Sequence, residues 1–236
     1  MKKVLLAAVA VAALAGSAHA DLLAYWNFNN SIAGNPSGNL GVLSGFNGTG
    51  WVPDAGSGLM TTDVTRNTSE TSPDGTFGTF GGDTLNALFG DAGGGALAVQ
   101  NGTSGENNGK YVQFEVSTVG FEDVILSYAT RGTSTGFNTH SWSYSVNGGG
   151  FIPLTSHAAQ NTSTWVLHTA DLSAVAAADN VASLVIRLTF SGGSTTSSAG
   201  NNRYDNVQIN ATQIPTPGAL ALVGMGGLVA ARRRRA

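Results

Sequence analysis

Ser141-Trp142-Ser143-Tyr144-Ser145-Val146 alternates polar and apolar side chains without a break and runs into the turn dipeptide Asn147-Gly148. Successive residues of a strand point to opposite faces, so Trp142, Tyr144 and Val146 fall together on one face and the serines on the other. Asn-Gly accepts the positive φ of a tight hairpin turn, which predicts a return strand over residues 151–154. Away from this hairpin, the same period of two runs through Tyr111-Val112-Gln113-Phe114-Glu115-Val116, and residues 181–190 form the most hydrophobic segment, bounded by Gly192-Gly193. Shorter strands are predicted over residues 22–28, 40–43, 96–100, 123–130, 164–169 and 203–209. Residues 171–178 predict one or two helical turns as a crossover, with Asp171 as N-cap and alanines behind it.

The composition agrees with this pattern. The chain has 236 residues, of which 33 are glycine and only 11% are charged, and no long helical period or internal repeat interrupts the succession of strands and turns. The fold class is therefore all-β, an antiparallel β-sandwich of jelly-roll type. Residues 72–95, rich in glycine, read as an extended loop with a short turn at 85–89. There is no cysteine, so sheet packing, with a bound metal ion as its one further aid, has to stabilise the domain without disulfides.

Both ends of the chain carry address signals. Met1-Lys2-Lys3, the apolar residues 4–16 and Ser17-Ala18-His19-Ala20 have the three parts of a secretory signal peptide; Ala18 and Ala20 form the Ala-x-Ala site, and the mature chain begins at Asp21. At the other end stand Pro215-Thr216-Pro217, an apolar Gly-rich run over 218–231, and Arg232-Arg233-Arg234-Arg235. The run is shorter than an ordinary membrane span, and the arginines would hold the C-terminus on the cytoplasmic side. The chain thus divides into a signal peptide (1–20), a β-sandwich domain (21–212) and a hydrophobic sorting or anchor helix (213–236). Without Lys2, Lys3 and the terminal arginines, five basic residues face 14 acidic ones, a balance that excludes a nucleic-acid surface.

The proline pair, apolar run and arginine cluster resemble the PEP-CTERM protein-sorting tail, with Thr216 standing where that family has Glu. The resemblance implies a membrane exosortase as processing partner, transient inner-membrane anchoring, and a destination at the cell surface or in the extracellular matrix. A permanent C-terminal anchor is the alternative. The order of the hairpin, Asp171-Leu172-Ser173, Leu184-Val185-Ile186-Arg187-Leu188 and Arg203-Tyr204-Asp205-Asn206-Val207 resembles carbohydrate-binding-module-like jelly rolls. That resemblance implies a structural calcium held by Asp205 with Asn29 and Asn30, at positions where many relatives carry an acidic residue. Calcium takes about six to eight oxygens, so one carboxylate and two amides would be a partial set. Read without the resemblance, Asp205-Asn206 is a turn cap.

Catalytic patterns are missing from the sequence. His140, His157 and His168 lack metal-motif spacing, Glu122 and Asp123 are neighbours on a strand, and no nucleophile elbow or phosphate loop is present. The candidate sugar contacts are Arg131 and Phe137 in the hydroxyl-rich stretch 131–140, together with Trp165; Trp26 and Trp51 are further rings whose alternative role is core packing. Two functions stay open: a non-enzymatic surface protein that binds extracellular polysaccharide, and a hydrolase that cuts it.

Overall fold

The computed structural model describes residues 20–29, 49–64, 78–88, 90–101, 103–159, 161–197 and 199–215. Residues 1–19 of the leader, Ala18 among them, the strand expected at 40–43, Asn30, and Thr216, Pro217 and Arg232 to Arg235 of the tail lie outside these residues. Among the described residues no helix is long and apolar enough to cross a membrane.

Among the described residues, two antiparallel sheets form the domain. The seven-stranded sheet follows the order β10 (Val166–Asp171), β7 (Phe121–Gly132), β12 (Asn201–Gln213), β1 (Ala20–Trp26) and β2 (Ala55–Gly56), with β5 (Gly95–Gln100) on the first part of β12 and β4 (Gly78–Gly81) on β5. The five-stranded sheet follows β3 (Leu59–Thr62), β6 (Tyr111–Val116), β11 (Leu184–Ser191), β8 (Thr139–Val146) and β9 (Ile152–Ala158). From β6 to β12 the chain passes repeatedly between the sheets, as the jelly-roll reading expects.

Alternation decides which side chains meet. Leu184, Ile186, Leu188 and Phe190 of β11 are buried, and Trp142 and Tyr144 of β8 lie opposite Leu188 and Ile186 on the same inner face. The turn after β8 has φ of 47° at Asn147 and 75° at Gly148, and the Gly149 N–H donates to the Val146 carbonyl at 2.9 Å. This is the two-residue turn that matches strand twist. On the other sheet, Trp26 packs against Phe114 with ring centroids 5.1 Å apart, and its indole N–H donates to the Trp51 carbonyl. Trp26 and Trp51 are therefore core residues.

Two expected elements differ. The crossover after β10 holds only a 3₁₀ turn at Ala176–Ala178. Asp171 is a strand residue whose Oδ1 accepts the Ser173 N–H at 2.8 Å, an Asx turn that competes with helix nucleation in so short a segment. The closing strand is longer than 203–209 because β12 has different neighbours along its length: β5 beside Asn201 to Tyr204 and β1 beside Val207 to Thr212.

Candidate functional site

The change of neighbour in β12 occurs at a bulge, where Asp205 and Asn206 are buried and Asn206 adopts φ 49°. Asp205 Oδ2 accepts the Asp83 N–H at 2.7 Å and its Oδ1 the Asn206 N–H at 2.8 Å. Asn206 Oδ1 accepts the Tyr25 hydroxyl, and its Nδ2 donates to the carbonyls of Asp83 and Leu85. Asn29 works in the same way: its Oδ1 accepts the Gly95 N–H at 2.7 Å and its Nδ2 donates to the Ala92 carbonyl. Together these side chains strap residues 82–88 and 90–95 across the outer face of the seven-stranded sheet. Glycine is required at the crossing points, since a Cβ at Gly82 would strike Asp205 and one at Gly94 would strike the Asn29 amide.

Of the three expected calcium ligands, Asp205 and Asn29 lie among the described residues and Asn30 outside them. A cation needs converging free oxygens, whereas Asp205 and Asn29 present oxygens that already accept backbone N–H groups. Among the described residues no group of three or more histidine, aspartate or glutamate side chains is placed to hold a metal ion. Asp205 and Asn206 do not cap a turn ahead of the last strand either: they lie at the bulge inside β12, and apart from the Asn206 N–H on Asp205 Oδ1 the bonds given above reach Tyr25, Asp83 and Leu85.

Of the three expected sugar contacts, Phe137 is fully buried, with its ring 5.2 Å from Phe190 and its N–H donating to Asn202 Oδ1. It offers no face to a ligand, because the polar stretch around it folds down onto the core. Arg131 and Trp165 remain partly exposed and come together, the guanidinium carbon lying 5.8 Å from the indole centroid.

The outer face of the five-stranded sheet holds a site that the sequence reading missed. Arg187 points outward between the buried Ile186 and Leu188. Its guanidinium lies 3.7 Å from the Tyr111 ring centroid and 3.5 Å from that of Phe151, while Nε and Nη2 both donate to Gln113 Oε1 at 2.9 and 2.7 Å. Gln113 and Ser143 flank Arg187 in register on the two neighbouring strands, and Tyr111 and Ser141 flank Thr189 in the next row. The result is a sheet surface of hydroxyls and amides around one immobilised guanidinium, with Phe151 still 38% exposed. Arg187 Nη1 has no hydrogen-bond partner among the described residues. The sequence signal was present in the outward position of an arginine within the apolar run Leu184-Val185-Ile186-Arg187-Leu188.

The histidines, scattered in the sequence, converge. His140 of β8 and His157 of β9 are register partners, and His157 stacks on His168 of β10 with centroids 4.0 Å apart. Tyr204 and Tyr128 place their hydroxyls 2.8 Å from Nε2 of His140 and His157 respectively. The cluster thus joins the edge strands of the two sheets.

No family model matches the chain, and no curated protein matches it. Among solved structures it is similar to the K2 cleaved adhesin domain of Lys-gingipain, with 10% identity, a TM-score of 0.43, and coverage of 78% of this chain and 96% of that one. It is similar as well to the module TmCBM61 in complex with β-1,4-galactotriose, at 11% identity and TM-score 0.35 over 64% and 86% of the two chains. A third is the carbohydrate-binding module CBM6cm-2 from Cellvibrio mixtus lichenase 5A in complex with cellotriose, at 12% identity and TM-score 0.37 over 82% and 100%.

Proposed function

We propose that the protein is an exported cell-surface or extracellular-matrix protein whose sandwich binds polysaccharide without cutting it. The observation that carries this reading is the outer face of the five-stranded sheet, where Arg187 is fixed between Tyr111 and Phe151 and forked onto Gln113. Saccharides combine apolar C–H faces with many hydroxyls. A flat face of rings, hydroxyls and amides answers both needs, and donors that are already immobilised lose little entropy on binding. The leader at 1–20 carries the chain out of the cytoplasm, and the tail at 213–236 holds it at the inner membrane until an exosortase-type enzyme removes the arginine-bearing segment.

The purified protein is expected to be retained on at least one neutral polysaccharide, and Arg187→Ala or Tyr111→Ala to weaken that retention about tenfold, roughly 1.4 kcal/mol. Affinity electrophoresis against a panel of neutral polymers measures it. No retention on any polymer, or retention indifferent to both substitutions, removes the reading. For the tail, intact-mass measurement of the surface form is expected to give a C-terminus short of Arg232; a surface form still ending in Ala236 excludes processing.

A further inference from the structure

Arg131 of β7 and Arg203 of β12 are direct register partners. Their neighbours Thr130 and Tyr204 are buried and face the core, so both arginines stand on the outer face of the seven-stranded sheet. Each is met by a ring. The Arg203 guanidinium lies 4.2 Å from the Phe80 centroid, and that of Arg131 lies 5.8 Å from Trp165, the residue just before β10. Between β12 and β4 runs β5, where the small Ala98 sits opposite Arg203 and leaves room for its side chain to reach Phe80. The sheet therefore carries a row of ring, guanidinium, guanidinium, ring.

This arrangement is electrostatically incomplete. Like charges placed directly opposite each other on neighbouring strands repel. Burial, and then the charge of Arg131, bring the Arg203 guanidinium down to about 10. Arg131 Nε is buried without a hydrogen-bond partner, a costly state for a cationic donor. Among the described residues no carboxylate forms an ion pair with either side chain. The context sharpens the point, because only five basic residues lie outside the two ends of an otherwise acidic chain, and two of them are spent here side by side.

We propose that this row is a binding site for an acidic polysaccharide, with the carboxylate of a uronate unit set between Arg131 and Arg203 and the sugar ring packed beside Trp165 or Phe80. The guanidinium fork takes two oxygens of one anionic group at once, as it does with a carboxylate; a sulfate ester offers the fork a comparable pair, and the test separates the two. Flanking rings make the carrier of that carboxylate a saccharide rather than a small free anion. The inference rests on the glycan-binding reading only in naming a saccharide; it concerns the opposite sheet and a different chemistry.

The test compares polygalacturonate with its methyl ester, which keeps the sugar ring and removes the charge, using the purified full-length protein. The acid is expected to bind at least about tenfold more tightly than the ester. That preference should be lost in Arg131→Gln/Arg203→Gln, be recovered only in part in Arg131→Lys/Arg203→Lys, and weaken steeply between about 0.05 and 0.5 M salt. Equal binding of acid and ester, or a glutamine variant that binds the acid like the parent, overturns the proposal. Dextran sulfate bound as tightly as the uronate, with the same arginine dependence, overturns the carboxylate assignment. Thermal unfolding checks the variants. If the glutamine pair does not fold, Trp165→Ala decides in its place, with at least fivefold weaker acid binding expected and unchanged binding counting against the site. Failure of retention on neutral polymers removes the reading of the five-stranded face and leaves the outcome here standing on its own.

Discussion

Lowering the pH from 6.5 towards 4 is expected to destabilise the protein steeply, with β9 and β10 parting before the rest of the sandwich. His140 is pulled from 6.5 to about 3 by burial and then by His157 and His168; His157 falls to about 4 through burial and then His168; His168 is lowered by burial. The folded state therefore refuses protons that the unfolded chain accepts. Each histidine's contribution is complete above 6.5, the ordinary value, and is lost as the pH falls from there towards its folded value. The limiting slope is about 1.4 kcal/mol per pH unit for each proton taken up on unfolding. Location makes the effect local as well as global. His157 and His168 stack across the seam between the edge strands of different sheets, 4.0 Å apart, so charging both rings places two like charges in contact there. Thermal midpoints over a pH series measure the slope, and His157→Gln/His168→Gln should remove most of it. A parent protein equally stable at the two pH values, or a double variant with the parent's slope, contradicts this account.

That cluster shows where the sequence was readable and where it was not. Period two placed Trp142 and Tyr144 on an inner face and showed the Asn147-Gly148 turn, because both are properties of consecutive residues. It could assign a face to His140, His157 and His168 but not a neighbour, since their meeting depends on the β8–β9 register and on two sheet edges closing together. The rows of the outer faces follow the same logic. Arg131 and Trp165 were chosen for their chemistry and do meet, yet Arg203 and Phe80 join them only through the register of β12 with β7 and β5. Phe137 was misplaced because polar neighbours made its stretch look like an exposed loop, while the ring itself had a core partner in Phe190.

Asn206→Ala is expected to cost on the order of 3–5 kcal/mol and to release residues 82–88 and 90–95 from the sheet they cover. The side chain satisfies three groups: the Tyr25 hydroxyl at 2.8 Å and the carbonyls of Asp83 and Leu85 at 2.8 and 3.0 Å. The residue itself is fully buried, and truncation leaves those partners without it, at roughly 1–3 kcal/mol for each that water cannot reach. Alanine must also hold φ 49°, a left-handed conformation that costs it about 1–2 kcal/mol and that asparagine tolerates better. Asn206→Gly separates the two contributions, since it relieves the backbone and restores no hydrogen bond; it should recover about 1 kcal/mol of the loss. The neighbouring Asp205 adds a pH dependence of opposite sign to that of the histidines. Burial raises its carboxyl from 3.8 to about 8, against the pull of the Asp83 and Asn206 N–H groups. Its contribution is therefore complete below 3.8 and is lost as the pH rises through 8, which Asp205→Asn should abolish. Denaturant titration gives the cost of Asn206→Ala, and hydrogen exchange over residues 83–95 gives its location. An alanine variant within about 0.5 kcal/mol of the parent, or one whose exchange rises in the five-stranded sheet instead, would show that the bulge of β12 does not hold this loop.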